Sequence, residues 1–298
     1  MGMKTEMVEA IELSEKTSMR VGGAAREFFE PADEAGFIDL VRGFHKAGKP
    51  YFVLGNGTNV IVRDGGYPGA VVSTTAALKG LSIDAQGTLV CGAGESLAGA
   101  CRFAAGHGLS GLEGLSGIPG TVGGAVFMNA GAYGSETAAV ACYVRAYMPD
   151  DDTIIMLTNL ECEFGYRKSV FKEKGLLILS AGFALEAGNK EEIQAKMSEF
   201  TRLRNEKQPI DMPSSGSFFK RPEGDYAGRL IEAAGMKGAR VGGAQVSVKH
   251  AGFIVNTGGA TADDVLALAD MVKAKVFEMF GVKLEEEPVI IGVDGGGM

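Results

Sequence analysis

Between Gly114 and Gly134 the chain carries seven glycines and not one charged side chain. A stretch like that has little side-chain surface to bury, so its use lies in its backbone. Glycine lets main-chain N–H groups approach a ligand closely and point at one spot. The ribbon cannot pair an anion with a charged side chain, yet it can cradle one, and a dinucleotide pyrophosphate is a natural occupant. Tight turns packed on a sheet are the other reading, and for one loop alone the more ordinary one. A second glycine turn, Leu54-Gly55-Asn56-Gly57-Thr58-Asn59, leaves one strand-like run and enters another. Gly92-Ala93-Gly94 is too short a signal to carry weight. No G-x-G-x-x-G opens a helix with an acid about 20 residues on, so a dinucleotide here binds in some fold other than the common nucleotide-binding one.

Glycine is also in excess over the whole chain, with 45 residues of 298 against about 21 at ordinary usage. The glycines sit within apolar, β-rich segments, which excludes a collagen-like or low-complexity chain. With 46% apolar and 22% charged residues, the chain can build a large core and is not disordered. Its length fits two domains, or two lobes sharing a site. No run approaches the ~20 apolar residues of a membrane span. The opening MGMKTEMVEAIELSEK lacks the apolar core of a signal peptide, so a cytoplasmic protein is expected.

The net charge of −8 argues against a nucleic-acid binder, which needs a basic footprint. Residues 200–250 run the other way, with nine Lys and Arg against five acids. That local excess suits a small anionic ligand, although solvated helix faces give the same pattern about as often. Cys91, Cys101, Cys142 and Cys162 are scattered, as are His45, His107 and His250. Neither a metal site nor a disulfide framework is expected.

Short β-rich runs at Tyr51–Leu54, 59–63, 70–74, 88–91, 140–148, 154–157 and 176–185 read as strands. Phe37, Leu40, Val41 and Phe44 recur at helix spacing and stop at Gly48. Ile193, Met197, Phe200 and Leu203 do the same before Pro209. Thr261, with Asp263 and Asp264 behind it, reads as an N-cap. From there Val265, Leu268, Val272, Val276 and Met279 line one face until Gly281 ends the helix. The chain is therefore α+β: a strand-dense, glycine-rich first part to about residue 185, then a helix leading into a smaller α/β lobe.

These residues resemble a known family. LGNGTNVIVRDGG together with GIPGTVGGAVFMNAGAYG is similar to the flavin-binding half of the UDP-N-acetylenolpyruvoylglucosamine reductases (UDP-N-acetylmuramate dehydrogenases). The segments from Thr17 to Ala24, Phe164 to Arg167, Gly216 to Lys220, Lys249 to Asn256 and Leu284 to Glu287 follow in the family's order. Thr58 stands where Ser is usual, and Pro288 follows Glu287 where the family usually has Val. The length and compact end resemble the shorter subclass. The resemblance implies an FAD lobe of the vanillyl-alcohol oxidase type, made of two α+β subdomains at 1–75 and 76–190. A substrate-binding domain is implied at 196–298. It implies FAD as cofactor, NADPH as hydride donor and a UDP-sugar enolpyruvyl ether as substrate, in peptidoglycan precursor synthesis. By the same carry-over Gly55, Asn56, Gly57, Thr58, Asn59, Ile118, Pro119, Gly120, Thr121, Gly123, Gly124, Asn129, Gly131 and Ala132 hold the flavin. No nucleic-acid or membrane partner is implied, and a monomer is compatible with the sequence.

The implied reaction passes hydride from NADPH to the flavin and from flavin N5 to C3 of the enolpyruvyl group. Charge then develops on C2, beside a carboxylate. Arg167 suits that carboxylate, because a guanidinium is always charged and grips it at two points. Glu287 is useful mainly if it stays protonated and donates a hydrogen bond, as burial allows. Strand alternation sends Glu285 and Glu287 to one face and Glu286 to the other, and the family motif selects Glu287. Ser217 is the proton donor to C2 by carry-over. Tyr133, Arg204, Lys207, Lys220 and His250 are the substrate-binding candidates, the basic ones for the diphosphate or the substrate carboxylate. A flavin-dependent alcohol oxidase on the same fold, or a nucleotide-binding module without chemistry, are the alternatives.

Overall fold

The computed structural model describes residues 6–295. The expected boundaries at 1 and 298, and the first five residues of the opening segment, lie outside them. The chain divides into two compact units. The first holds Phe28–Asn56 and Gly69–Arg204, with residues 6–8; the second holds Glu9–Glu27, Gly57–Pro68 and residues 205–295. One division falls inside the first glycine turn, between Asn56 and Gly57.

The first unit is built on a five-stranded antiparallel sheet. Its spatial order is Thr153–Thr158, Ala141–Met148, Leu177–Phe183, Leu89–Gly92, Leu81–Ile83. The central strand is covered on both faces: Leu177–Phe183 is buried in all but its first residue. Tyr51–Leu54 pairs in parallel with Tyr67–Ser73, with Tyr51 opposite Ala70. Helix α1, Glu34–Lys46, is capped by Asp33, whose carboxylate accepts from the Gly36 amide at 2.8 Å. It buries Phe37, Ile38 and Val41. Helix α2, Leu97–Gly106, is absent from the sequence reading. Its buried stripe is Leu97, Ala100, Cys101 and Ala104, residues mostly too small to give a strong periodic signal. The glycine ribbon, in which the sequence pattern shows no helix, contains a short one, α3, Val122–Phe127, capped by Thr121.

Helices α4 (Val170–Glu173) and α5 (Lys190–Lys207) complete the first unit, the last residues of α5 belonging to the second. Only Ile193 of α5 is buried.

The second unit carries a four-stranded antiparallel sheet ordered Ser214–Ser217, Phe253–Asn256, Ala244–Val246, Arg240–Val241. Helix α6 is Ala227–Ala233 and α7 is Ala262–Phe280. Thr261 and Asp264 form a full capping box at the start of α7, and Gly281 closes it at φ +68°. Its inner face is Val265, Leu268, Ala269, Val272 and Val276. Each valine or leucine among them contributes about 1.5–3 kcal/mol on burial. Met279, expected on that face, is 48% exposed instead, because the stripe has turned off the sheet by the last turn. Val60–Val62 and Val289–Ile291 pair in parallel. The α+β class read from the sequence is borne out. Among the described residues no helix is long and apolar enough to cross a membrane.

Candidate active site

In the first unit two glycine segments meet. A Cβ at Gly55 would lie 2.6 Å from Thr121 Oγ1, so only glycine lets the end of the Tyr51–Leu54 strand sit against the head of α3. Around this junction the amides divide into spent and unspent. Val122 N donates to Glu95 O and Gly123 N to Ala93 O, both at 2.8 Å, while Gly124 N reaches Thr121 Oγ1 at 3.2 Å. Ile118 N donates to Leu115 O. These four are consumed within the fold. Among the described residues the amides of Gly55, Asn56, Gly117, Gly120 and Thr121 donate no hydrogen bond. Gly55, Gly117 and Gly120 are half-buried and Asn56 is exposed, so these donors are open to an acceptor from outside the chain.

A charge stands beside it. Arg204 of α5 lays its Cδ 3.2 Å from where a Cβ at Gly117 would be. It is half-buried and has no carboxylate partner among the described residues. Burial therefore pulls its guanidinium below the ordinary value, although it stays charged at neutral pH. One turn earlier on α5, Phe200 stacks on Tyr133, with centroids 4.8 Å apart and planes 19° off parallel. Under the loop the Glu113 carboxyl is pushed up by burial. Hydrogen bonds from the Ser110 hydroxyl and the Gly111 amide, 2.7 Å each, outweigh this and hold it below the usual range.

Asn129 and Gly131 are spent differently. The Asn129 side chain bonds Gly165, Glu136 and Ala138 within the unit. Gly131 and Ala132 form a small hairpin with Ser135 and Glu136. Arg167 sits in the turn closed by Gly165 and Lys168, at φ +55°. Its guanidinium lies over the Tyr166 ring at 5.0 Å.

In the second unit Gly57 has φ +62°, and a Cβ there would stand 2.2 Å from Lys16 O. The neighbouring Thr17 has a buried hydroxyl without a partner, a donor that the motif at Thr17–Ala24 did not single out. Asn59 works on the C-terminal strand: Nδ2 donates to Glu287 O at 3.4 Å, and its carbonyl accepts from Val289 N at 2.9 Å. Pro288 lies between those two contacts, where its missing N–H is not called on.

Ser217 follows Gly216, which has φ +81°. The pairing with Phe253–Asn256 slips between Ser214 and Ser217, a bulge that turns the exposed serine outward. Residues 218–220 then run antiparallel to 285–287. Glu287 N donates to Phe218 O at 2.9 Å, Lys220 N to Glu285 O at 2.8 Å, and Phe219 bridges Glu286. Glu285 and Glu286 part as alternation expects: Glu285 pairs with Lys220 at 3.0 Å, and Glu286 turns to Lys273 of α7.

Lys207 is exposed, with no ion pair among the described residues. His250 takes the Gly252 amide on Nδ1 at 3.1 Å, which leaves the proton on Nε2. Burial lowers its pKa below the ordinary 6.5. It is a neutral hydrogen-bond donor at pH 7.

A family model described as UDP-N-acetylenolpyruvoylglucosamine reductase, C-terminal domain, matches residues 208–291, and one described as FAD binding domain matches residues 25–157. The reductase of Caldanaerobacter subterraneus subsp. tengcongensis is 45% identical over 93% of this chain and 90% of its own. That of Limosilactobacillus fermentum is 45% identical over 96% and 95%. The chain belongs to the UDP-N-acetylenolpyruvoylglucosamine reductase family. The crystal structure of the family member from Thermus caldophilus matches at TM-score 0.79 and 39% identity, over 97% of this chain and 99% of that one. The family resemblance carried by the separate sequence motifs is thereby borne out. The FAD model spans both glycine segments and Tyr133, and the C-terminal model spans Ser217, Lys220, His250 and Glu287. Arg167, Arg204 and Lys207 fall outside both.

Proposed function

We propose that this chain is an NADPH-dependent FAD enzyme that reduces UDP-N-acetylglucosamine enolpyruvate to UDP-N-acetylmuramate in peptidoglycan precursor synthesis. The observation that carries the reading is the pairing of residues 218–220 with 285–287, which sets Ser217 and Glu287 on neighbouring strand ends.

The residues present fit the cofactor. Five unspent amides, at Gly55, Asn56, Gly117, Gly120 and Thr121, surround a junction that any Cβ at Gly55 would fill. Together they offer main-chain donors for a pyrophosphate. When bound, the flavin supplies the hydride chemistry, which no side chain of this protein has. FAD-binding subdomains at 1–75 and 76–190 and a substrate-binding domain at 196–298 go with this reading.

The protein's own work is on charge and protons. Arg167 holds the enolpyruvyl carboxylate in two-point geometry and offsets the negative charge that develops beside it. Ser217 Oγ delivers the proton to C2, a transfer that a weakly acidic hydroxyl manages because the developing carbanion is strongly basic. Glu287, protonated, donates a hydrogen bond to the same developing charge. Arg204 and Lys207 serve the diphosphate or the substrate carboxylate, and Lys220 shares itself between substrate and Glu285. His250 contributes Nε2–H as a neutral donor. Tyr133, braced by Phe200, presents its ring to the sugar or the flavin. Both substrates of this reaction are cytoplasmic metabolites, so we assign the enzyme to the cytoplasm.

The test is reconstitution followed by separate half-reactions. Protein incubated with FAD turns yellow, NADPH bleaches it, and the enolpyruvyl ether restores the colour without oxygen. Protein that takes up no FAD, or whose reduced flavin is reoxidised only by oxygen, refutes the reading.

A further inference from the structure

We infer that Asn129 is a positioning residue that fixes the Arg167 turn to the end of the glycine loop. This rests on the proposed role of Arg167.

Asn129 is 1% exposed, yet it sits among residues that the sequence assigns to the flavin. Both hydrogens of its amide are used inside the fold: Nδ2 donates to Gly165 O at 3.0 Å and to Glu136 Oε2 at 3.3 Å. Oδ1 accepts from Ala138 N at 2.9 Å. Its φ is +42°, a region that Asn tolerates better than any residue except glycine. A residue kept buried in that conformation, with its donors spent, holds protein rather than ligand.

What it holds is one side of a two-residue turn. Gly165 and Lys168 exchange backbone bonds at 3.0 and 3.1 Å, so fixing Gly165 O fixes the chain on both sides of Tyr166 and Arg167. The other side is tied by Ser169, buried, whose hydroxyl donates to Phe127 O at 2.6 Å. Phe127 ends α3, and Asn129 follows it by two residues. Two short bonds from one stretch, 127–129, therefore bracket the turn. Arg167 is itself at φ +55°, a strained setting for a long side chain. Without the brackets that turn has reason to relax, and the guanidinium would swing with it.

Two variants separate this from a flavin contact. Asn129→Gly keeps the backbone conformation and removes the amide. Asn129→Asp keeps the acceptor toward Ala138 and replaces the N–H donors by an oxygen that repels Gly165 O and Glu136. Each is compared with Arg167→Lys and combined with it. Expected are full FAD content, flavin reduction by NADPH within about twofold of wild type, and reoxidation by the enolpyruvyl ether slowed about tenfold to a hundredfold, the usual penalty for a misplaced group. The double variants should be little slower than Arg167→Lys alone. Backbone amides of the 165–168 turn should exchange hydrogen faster in both Asn129 variants, a readout independent of turnover. Loss of FAD, additive effects in the doubles, or normal reoxidation while Arg167→Lys is slow would each overturn the inference. Normal reoxidation in Arg167→Lys itself would instead remove the role proposed for the arginine, whatever Asn129 does.

Discussion

The amide of Glu287 donates to the carbonyl oxygen of Phe218, 2.9 Å away, across an antiparallel pair that begins one residue after Ser217. Ser217 and Glu287, 70 positions apart, are thus brought onto neighbouring strand ends by main-chain bonds, which do not depend on either side chain. Substitution at either one should leave the strand pairing intact, so its kinetic effect can be read as chemistry.

For Ser217 the expected result is a split between half-reactions. Ser217→Ala should leave reduction of the flavin by NADPH near normal and slow its reoxidation by the enolpyruvyl substrate about 10²–10⁴-fold, the range for a lost proton donor. Stopped-flow absorbance of each half-reaction measures it. Equal losses in both would mark a structural role.

Gly57 combines a left-handed φ with a backbone oxygen 2.2 Å from the place a Cβ would take. Gly57→Ala should destabilise the protein by about 3 kcal/mol, more than the 1–2 kcal/mol of a φ penalty alone. Denaturant unfolding would show it. A change under about 0.5 kcal/mol would mean that the loop shifts freely.

Arg204 is a half-buried cation without a carboxylate partner among the described residues. Arg204→Met should make the ligand-free protein more stable by about 1 kcal/mol, since an uncompensated charge is replaced by apolar surface. The same change should weaken whichever anion Arg204 serves. Thermal shifts with FAD and with the UDP-sugar tell which ligand loses its stabilisation. An unchanged shift with both would remove Arg204 from the binding site.

His250 carries a pH signature. Burial depresses its folded pKa below the ordinary 6.5, so between the two values the unfolded chain binds the proton and the folded one does not. Stability from this group is therefore full above about pH 6.5 and falls as the pH drops through the folded value. His250→Gln should flatten the profile below about pH 6.5, seen by comparing chemical denaturation of variant and wild type. A parallel fall in both proteins would place the effect elsewhere.

Much of this molecule is legible without coordinates. Helix α7 announces itself through Thr261, Asp264, the 3–4 spacing of Val265, Leu268, Val272 and Val276, and Gly281, because capping and periodicity are local. The parity of Glu285, Glu286 and Glu287 is equally local, since side chains alternate along any extended chain. The family motifs add the chemistry, each a short run whose residue types are visible in order.

What stayed hidden depends on partners far along the chain. That Val122–Phe127 is helical, and that the Gly123 and Gly124 amides are already taken, follows from Ala93, Glu95 and the Thr121 cap. A glycine run by itself does not say which of its donors are free. That the Asn129 side chain is already bonded to Gly165 and Ala138 is not visible in its own segment. Which nitrogen of His250 carries the proton is set by the Gly252 amide and the fold around it. Local sequence set the elements and the order of the chemical groups. The tertiary structure decided which polar atoms are spent and which are open, because a hydrogen bond or a desolvated charge is a property of two places brought together, and no single segment contains both.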